Sequence, residues 1–328
     1  MSRRAPTTLD SASRSVTGNA QPAGSLALSA ALVRSPIVGT GRGQVARTTP
    51  SVGCARVNPS PAIPTNPGVP RFAFLDHDAP IAFAHRGGAL ENPENTWASF
   101  HHAHSLGYRY METDVHATRD GVAAVIHDPD LRRVAGVAAD VRAMTWSELS
   151  KVDLEGDQRV PRLDELLEEW PETRWNIDAK HDSAVDTLVE TVKRTNTTER
   201  VCITSFSGRR LGTVKRALGP TLCTAMGPAA ITALRVASLP PRPPARLLRA
   251  GFRGFGAAQV PTRQGAIPIV DTRFVATSHT AALQVHVWTI DEEAEMDRLL
   301  DLGVDGIMTD RPSLLREVLQ RRGAWVSA

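Results

Sequence analysis

Apolar and polar positions alternate with two different periods along residues 81–321. Short apolar runs are typical of buried strands, and residues 94–106 place Trp97, Phe100 and Ala103 at helical spacing. Eight strand-like runs occur, and nearly every one leads into a helix-like segment. The predicted strands are IAFAHRG, YMETDV, RWNIDAK, VCITSF, TLCTAMG, FGAAQV, QVHVWTI and DGIMTD. The predicted helices cover 94–106, 161–170, 183–195, 208–218, a long stretch after TLCTAMG, 272–281, 293–302 and 313–321.

This strand-helix repetition over roughly 250 residues predicts an α/β fold of the TIM (β/α)8 barrel type rather than an open sheet. Residues 129–160 interrupt the repetition and are predicted to be a small insertion. Within them, Thr145-Trp146-Ser147-Glu148 has the pattern of a capping box that opens a short extra helix.

Residues 1–71 differ in composition from the remainder of the chain. They are rich in Ser, Thr, Ala, Gly, Pro and Arg, as in "VNPSPAIPTNPGVP", and such segments bury too little apolar surface to offset the entropy of ordering. We therefore predict a disordered basic tail, with order beginning near Phe72 and a barrel domain over 72–328. An extension without a role, a targeting segment and a binding tail all remain open as interpretations of this region.

Charge and composition limit the classes of function. The net charge is +3, but residues 1–75 carry +7, which leaves −4 for residues 76–328. A mildly acidic folded part argues against a nucleic-acid partner. No apolar run is long enough for a membrane span, so we expect no stable membrane insertion. The three cysteines are far apart, which suggests a reducing, cytoplasmic location.

Chemistry in a TIM barrel lies at the carboxyl ends of the strands. Ionisable residues are found at that end of several predicted strands, where their convergence is costly unless a ligand or metal pairs with them. The polar and aromatic residues at predicted strand ends are His85, Arg86, Glu112, Asp114, Asp178, Lys180, Ser205, Gln259, Trp288 and Asp310.

The segment after the second strand suggests how one histidine reaches these carboxylates. If Asp120-Gly121 forms a two-residue hairpin turn, Arg119 pairs with Val122. Counting outwards then places Asp114 opposite His127, with Glu112 on the same face two residues away. The pattern predicts an imidazole beside a pair of carboxylates.

The order of these motifs resembles that of the glycerophosphodiester phosphodiesterases, a family of phospholipase-C-like TIM-barrel phosphodiesterases. The resemblance covers about residues 80–320. The motifs that carry it are His85-Arg86-Gly87, Glu94-Asn95-Thr96, Glu112-Thr113-Asp114, His127-Asp128, Asp178-Ala179-Lys180, Val287-Trp288-Thr289 and Asp305-Gly306 to Pro312.

The resemblance implies hydrolysis of glycerophosphodiesters to glycerol 3-phosphate and an alcohol with a divalent cation. It also implies that the insertion at 129–160 is the small capping segment of this family. Hard oxygen ligands favour Ca²⁺ or Mg²⁺, and histidines near neutrality suit acid/base catalysis. Trp288 belongs either to the core or to an apolar wall of the pocket. By position, the implied roles are metal binding for Glu112, Asp114 and Asp178, acid/base catalysis for His85 and His127, and phosphate binding for Arg86 and Lys180.

One position departs from the family pattern, because Asp178 stands where a longer Glu is frequent. We expect a small-molecule glycerophosphodiester as the partner, while the sequence indicates no oligomeric state. Two alternatives are a lysophospholipase D acting on lysophospholipids and a catalytically inactive barrel that binds phosphodiesters. The intact histidines, carboxylates and cations argue against the inactive barrel.

Overall fold

The computed structural model describes residues 71–239 and 244–327. Eight parallel strands follow the predicted order, and their carboxyl ends lead into helices, as expected for a (β/α)8 barrel. In chain order the strands are β1 (Ile81–His85), β2 (Tyr110–Ala117), β3 (Ala123–Val125), β4 (Arg174–Ala179), β5 (Val201–Thr204), β6 (Cys223–Thr224), β7 (Ala257–Val260), β8 (Arg263–Gln264), β9 (Ile267–Pro268), β10 (Gln284–Val287) and β11 (Gly306–Thr309).

The helices also lie close to their predicted ranges, with one difference. The long helical stretch predicted after TLCTAMG consists of two helices: α7 ends at Ala237, and α8 begins at Ala245, directly after Pro244. The helices are α1 (Trp97–Ser105), α2 (Arg132–Ala135), α3 (Trp146–Leu149), α4 (Leu163–Glu169), α5 (Ala184–Arg194), α6 (Gly208–Leu218), α7 (Pro228–Ala237), α8 (Ala245–Phe252), α9 (Thr272–Thr280), α10 (Glu293–Asp301) and α11 (Pro312–Arg321).

The barrel closes through pairing between its first and last strands and through a short bridge. The order is β6-β5-β4-β2-β1-β11-β10-β7, and β1 pairs with β11 in parallel. Between β6 and β7, Ala225 bridges Ala257, and the Met226 N–H donates to the Ala257 carbonyl at 2.9 Å. Strands β3, β8 and β9 lie outside this path. The TIM-barrel prediction is therefore confirmed.

Helix amphipathicity places the main core between the strands and the outer helices. On α5, Val185, Leu188, Val189 and Val192 recur three and four residues apart. All four are buried in an apolar cluster that also contains residues of β2, β4 and β5. A second apolar cluster packs α9, α10 and α11 on their strands. Together the two clusters form the apolar layer between the barrel strands and the outer helices.

Aromatic residues ahead of β1 close the amino-terminal end of the barrel. Phe74 is fully buried and packs edge-to-face on Tyr110, with ring centroids 5.3 Å apart. The Tyr110 hydroxyl donates to the Phe74 carbonyl at 2.8 Å, and Arg174 at the start of β4 donates to the same carbonyl. Phe72, near which order was predicted to begin, is buried. The predicted disordered tail over residues 1–71 lies, except for Arg71, outside the described residues.

The inserted segment folds around a small apolar cluster of its own. Leu131, Val141, Leu149 and Leu154 are buried together with residues of β3. The predicted capping box is present: Thr145 accepts from the Glu148 N–H, and Glu148 accepts from the Thr145 N–H. The segment 129–160 is thus a compact unit packed against β3, and it is called the cap below. Within the described residues, no helix has the length and apolar character to cross a bilayer.

We expect Phe74→Ala to lower the free energy of unfolding by about 3–5 kcal/mol, because it empties a fully buried aromatic site. Phe206→Ala is the matched control, since Phe206 is 69% exposed and its loss should cost less than about 0.5 kcal/mol. Urea denaturation of both variants checks this. Equal losses in the two variants would show that the aromatic closure contributes nothing to stability.

A buried histidine inside the barrel gives the fold a dependence on pH. His286 is fully buried between Gln284 and Gln259, and burial lowers its pKa to about 4, against the opposing effect of Asp305. The folded state therefore keeps His286 neutral, while the unfolded state binds a proton below pH 6.5.

The effect of His286 on the free energy of unfolding is therefore constant above pH 6.5. Between pH 6.5 and pH 4 it lowers the free energy of unfolding by roughly 1.4 kcal/mol per pH unit. His286→Gln, which retains a hydrogen-bond donor but does not titrate, should flatten that part of the pH dependence. The measurement is the free energy of unfolding of both proteins from pH 4 to 7. Parallel curves would refute the assignment.

Candidate active site

Strand register brings two pairs of ionisable side chains together at the carboxyl end of the barrel. In parallel pairing His85 lies beside Glu112, and Asp114 lies beside Asp178. Neighbouring strands run roughly 4.8 Å apart, so side chains in register share one face. The three carboxylates are all nearly inaccessible to solvent. The structure thus gathers four of the predicted site residues around the ends of three adjacent strands.

His85 lies between two carboxylates. Its Nδ1 is 2.7 Å from Oδ1 of Asp310, and its Nε2 is 3.7 Å from Oε2 of Glu112. Burial favours the neutral imidazole, but the negative charges of Glu112 and Asp310 outweigh it, so the pKa of His85 lies above its usual value. Burial, together with the neighbouring Asp114, raises the pKa of Glu112 to about 7.

Lys180 joins the carboxylates of β2 and β4. Its Nζ is 2.8 Å from Oδ1 of Asp114 and 2.7 Å from Oδ2 of Asp178. Burial disfavours the ammonium, yet the two carboxylates hold the pKa of Lys180 above its usual value. Burial also opposes ionisation of Asp114, but Lys180 and Arg86 keep its pKa low, whereas burial raises the pKa of Asp178.

Arg86 connects the barrel carboxylates to the loop that precedes α1. Its backbone N–H donates to Oε2 of Glu112 at 3.2 Å, and its Nη1 donates to Glu94 at 3.2 Å. Its Nε lies 3.2 Å from Oδ2 of Asp114 in an ion pair without hydrogen-bond alignment. Asn95 is buried and donates to the same carboxylate oxygen at 3.0 Å. This loop therefore contacts two of the barrel carboxylates, Glu112 and Asp114.

His127 lies just beyond β3, next to the same cluster. Its Nδ1 is 2.7 Å from Oδ1 of Asp128. Arg133 of the inserted segment donates through Nε to Oδ2 of Asp128 at 2.7 Å. The two nitrogens Nη1 and Nη2 of Arg133 donate to Glu94, each at 2.7 Å. Asp128 and Arg133 thus connect His127 to Glu94.

The hairpin register predicted for His127 is wrong by one residue. The loop contains three residues, Arg119 to Gly121, because Thr118 pairs with Val122 and Gly121 adopts a φ of +78°. This is the common three-residue hairpin, a turn followed by a left-handed glycine. Ile126 therefore lies opposite Asp114 and donates its N–H to the Asp114 carbonyl at 3.0 Å. His127 lies beyond the paired part of the hairpin.

The carboxylates predicted to bind a divalent cation have donors of the right kind. Among the described residues, no three His, Cys, Asp or Glu side chains form a ready metal site, and the Lys180 ammonium lies between Asp114 and Asp178. The donor set still fits a hard cation, because Glu112, Asp114 and Asp178 are buried carboxylates. Oδ1 of Asp178 is buried and has no hydrogen-bond partner in the described chain.

Two residues that hold the histidines, one directly and one through Asp128, were not predicted. Asp310 was placed at a predicted strand end without a role, and the closed barrel, in which β11 is the neighbour of β1, brings Asp310 against His85. Arg133 was not singled out, and its single sequence signal is its position six residues after His127 in the cap. Trp288, expected either in the core or at the pocket wall, is half-buried and meets the exposed ring of Phe206 edge-to-face at 6.2 Å.

Comparisons with known proteins agree with the fold and the motifs. The model of the glycerophosphoryl diester phosphodiesterase family matches residues 85–314. A probable glycerophosphodiester phosphodiesterase 2 from Mycobacterium tuberculosis is 41% identical over 263 residues, which cover 80% of this chain and 98% of the relative. A human lysophospholipase D is 30% identical, with 74% of this chain and 86% of the relative covered.

Solved structures share the barrel at lower sequence identity. A putative glycerophosphoryl diester phosphodiesterase from Silicibacter pomeroyi has a TM-score of 0.64 at 24% identity, covering 78% of this chain and all of that one. An Oleispira antarctica phosphodiesterase, solved with the product sn-glycerol-3-phosphate, has a TM-score of 0.61 at 22% identity, covering 74% and 97%. The chain therefore belongs to the glycerophosphoryl diester phosphodiesterase family, whose members are enzymes that hydrolyse phosphoric diesters.

Proposed function

We propose that the protein hydrolyses small glycerophosphodiesters to glycerol 3-phosphate and an alcohol. The observation that carries the proposal is a pair of His–Asp contacts at one barrel mouth. Nδ1 of His85 is 2.7 Å from Asp310, and Nδ1 of His127 is 2.7 Å from Asp128. A carboxylate on Nδ1 fixes the ring and leaves Nε2 to exchange a proton with substrate. Two such histidines suit a reaction that needs one acid and one base.

The proton transfers assigned to the two histidines account for both bonds that change. One imidazole removes the proton from a substrate hydroxyl next to the phosphate, and that oxygen attacks phosphorus. The other imidazole donates a proton to the departing alcohol oxygen, which leaves a cyclic phosphate. Water then opens the cyclic phosphate with the proton roles of His85 and His127 reversed, giving glycerol 3-phosphate.

The cationic side chains of the site are assigned to the phosphate. Arg86 offers a planar fork and Lys180 a point charge, and each already lies within 3.2 Å of Asp114. A phosphate at the mouth would compete with these carboxylates for the same cations. We assign Trp288, at the end of β10, to the apolar wall of the pocket.

A divalent cation, Ca²⁺ or Mg²⁺, is assigned to the carboxylates Glu112, Asp114 and Asp178. When bound, it would supply positive charge at the phosphate and offset repulsion among the three carboxylates. The support is the donor set and the unpartnered oxygen of Asp178. Because Lys180 contacts two of these side chains, its ammonium would have to move aside or share them with the metal.

A lysophospholipid substrate is the second candidate, favoured by exposed apolar side chains near the mouth. Phe206 follows β5, Ile267 lies in the hairpin after β7, and Leu90 lies in the loop after β1; each is at least 60% exposed. Such residues could contact an acyl chain. The human relative named lysophospholipase D belongs to the same family, which supports testing both substrate classes.

We expect the purified full chain to hydrolyse at least one of glycerophosphocholine, glycerophosphoethanolamine and glycerophosphoglycerol, and to lose this activity with a chelator. Added Ca²⁺ or Mg²⁺ should restore it, with Asp178→Asn requiring more metal for half-maximal rate. The measurement is release of glycerol 3-phosphate, with lysophosphatidylcholine assayed in parallel.

A protein active on lysophospholipid alone would replace the first candidate with the second. Full activity in chelator, or an identical metal titration for Asp178→Asn, would remove the metal from the proposal.

His85→Ala and His127→Ala should each lower kcat by at least ~100-fold, as expected when a general acid or base is lost. His104→Ala, an exposed histidine on α1, is the control and should retain the original rate. Thermal unfolding of each variant tests whether the fold persists. A near-normal kcat in a folded variant would exclude that histidine from the acid/base pair.

A further inference from the structure

Among the described residues of the inserted segment, only Arg133 has a side chain that hydrogen-bonds both to Glu94, in the loop after β1, and to Asp128, next to His127. Its guanidinium binds Glu94 in a two-pronged contact at 2.7 Å and reaches Asp128 through Nε at 2.7 Å. Glu94 in turn accepts from Arg86, and Asp128 contacts His127. One cap residue therefore connects the phosphate-facing arginine with a catalytic histidine.

We propose that Arg133 is a positioning residue that holds His127 through Asp128 and so makes the catalytic geometry depend on the seating of the cap. The inference rests on the proposed function. The planar guanidinium can engage two carboxylates at once, whereas a single ammonium reaches them less well. Without Arg133, Asp128 would keep its contact with His127 but would lose the partner that fixes its own orientation.

The backbone pairing of the hairpin does not fix the orientation of the His127 side chain. Strand β3 ends at Val125, so the ladder that pairs Val115 with Val125 does not extend to His127. Its backbone carbonyl accepts from His116 at 3.2 Å, and its side chain remains 32% exposed. The orientation of the ring therefore depends on Asp128, and Asp128 depends on Arg133.

The same residue borders a cavity between the cap and the loop after β1. The cavity has a volume of about 450 Å³ and is lined by Leu90, Pro93, Glu94, Arg133 and Leu154, among others. The Arg133–Glu94 ion pair forms part of its wall. A group bound in this cavity would therefore contact the residue that orients His127.

A merely structural role would have a different signature. Arg133 is about half exposed, and exposed ion pairs contribute little to stability. If it only fastened the cap, its loss would weaken substrate binding and lower the unfolding temperature, with kcat unchanged. If it positions His127, kcat should fall while KM and stability change little.

The test compares Arg133→Gln, Arg133→Lys and Asp128→Asn with Arg132→Gln as the control. Arg132 is the adjacent, exposed arginine, and it forms no ion pair with any described residue. We expect Arg133→Gln to lower kcat by roughly 10- to 100-fold, the range typical of residues that orient a catalytic ligand. Arg133→Lys should recover part of the loss, and Arg132→Gln should retain the original kcat and KM.

Coupling between the two positions gives a second criterion. Adding Arg133→Gln to Asp128→Asn should lower kcat by much less than it does alone, because both changes disturb the same contact to His127. Fully multiplicative losses would overturn the proposal, as would an unchanged kcat in Arg133→Gln or a change confined to KM.

A measurement independent of turnover separates this inference from the proposed function. Nitrogen-15 NMR of the imidazoles, with His127→Ala used for assignment, reports whether His127 carries its proton on Nδ1. We expect the Nδ1-protonated form in the original protein and a mixture in Arg133→Gln. An unchanged spectrum would overturn the positioning role, whereas an original protein inactive on every substrate would overturn the proposed function alone.

Discussion

Three carboxylates buried at one end of a barrel lose solvation and repel one another, and the arrangement of the site depends on how that cost is met. Lys180 lies within 2.8 Å of both Asp114 and Asp178, and Arg86 lies within 3.2 Å of Asp114. Glu112 has weaker compensation, and burial beside Asp114 raises its pKa to about 7. The cations of the site therefore offset the negative charge of Asp114 most fully and that of Glu112 least.

The rest of the fold confines this charge to one accessible end. Phe72, Phe74 and Leu75 fill the amino-terminal end with apolar side chains, so that the interior below the site is a packed core. Polar interior residues such as Gln259 are hydrogen-bonded in pairs, with Gln259 donating to Asn176 at 2.9 Å. A charged substrate can therefore meet the carboxylates and cations only at the barrel mouth.

The barrel was predictable because each strand is a short apolar run and the amphipathic helices are separated by turn residues. The placement of Glu112, Asp114 and Asp178 together at one end of the barrel was predictable, because polar residues interrupt those runs near their carboxyl ends. Contacts that depend on closure of the barrel were not predictable from the sequence. Asp310 lies 225 positions from His85 in the chain, and their contact requires β11 to be seated beside β1. The bridging of two carboxylates by Lys180 depends on rotamers, which sequence spacing does not determine.

The one-residue error in the hairpin shows why a loop length matters for chemistry. A two-residue turn would have held His127 inside the strand ladder, opposite Asp114, where backbone hydrogen bonds fix the register. The three-residue loop with Gly121 gives that place to Ile126 and leaves His127 beyond the last strand residue. A histidine outside the ladder needs side-chain contacts to define its orientation. Asp128 supplies the direct contact, and its second oxygen is held from the inserted segment. The cap therefore supplies, through Arg133, a contact to Asp128 that the hairpin alone does not provide.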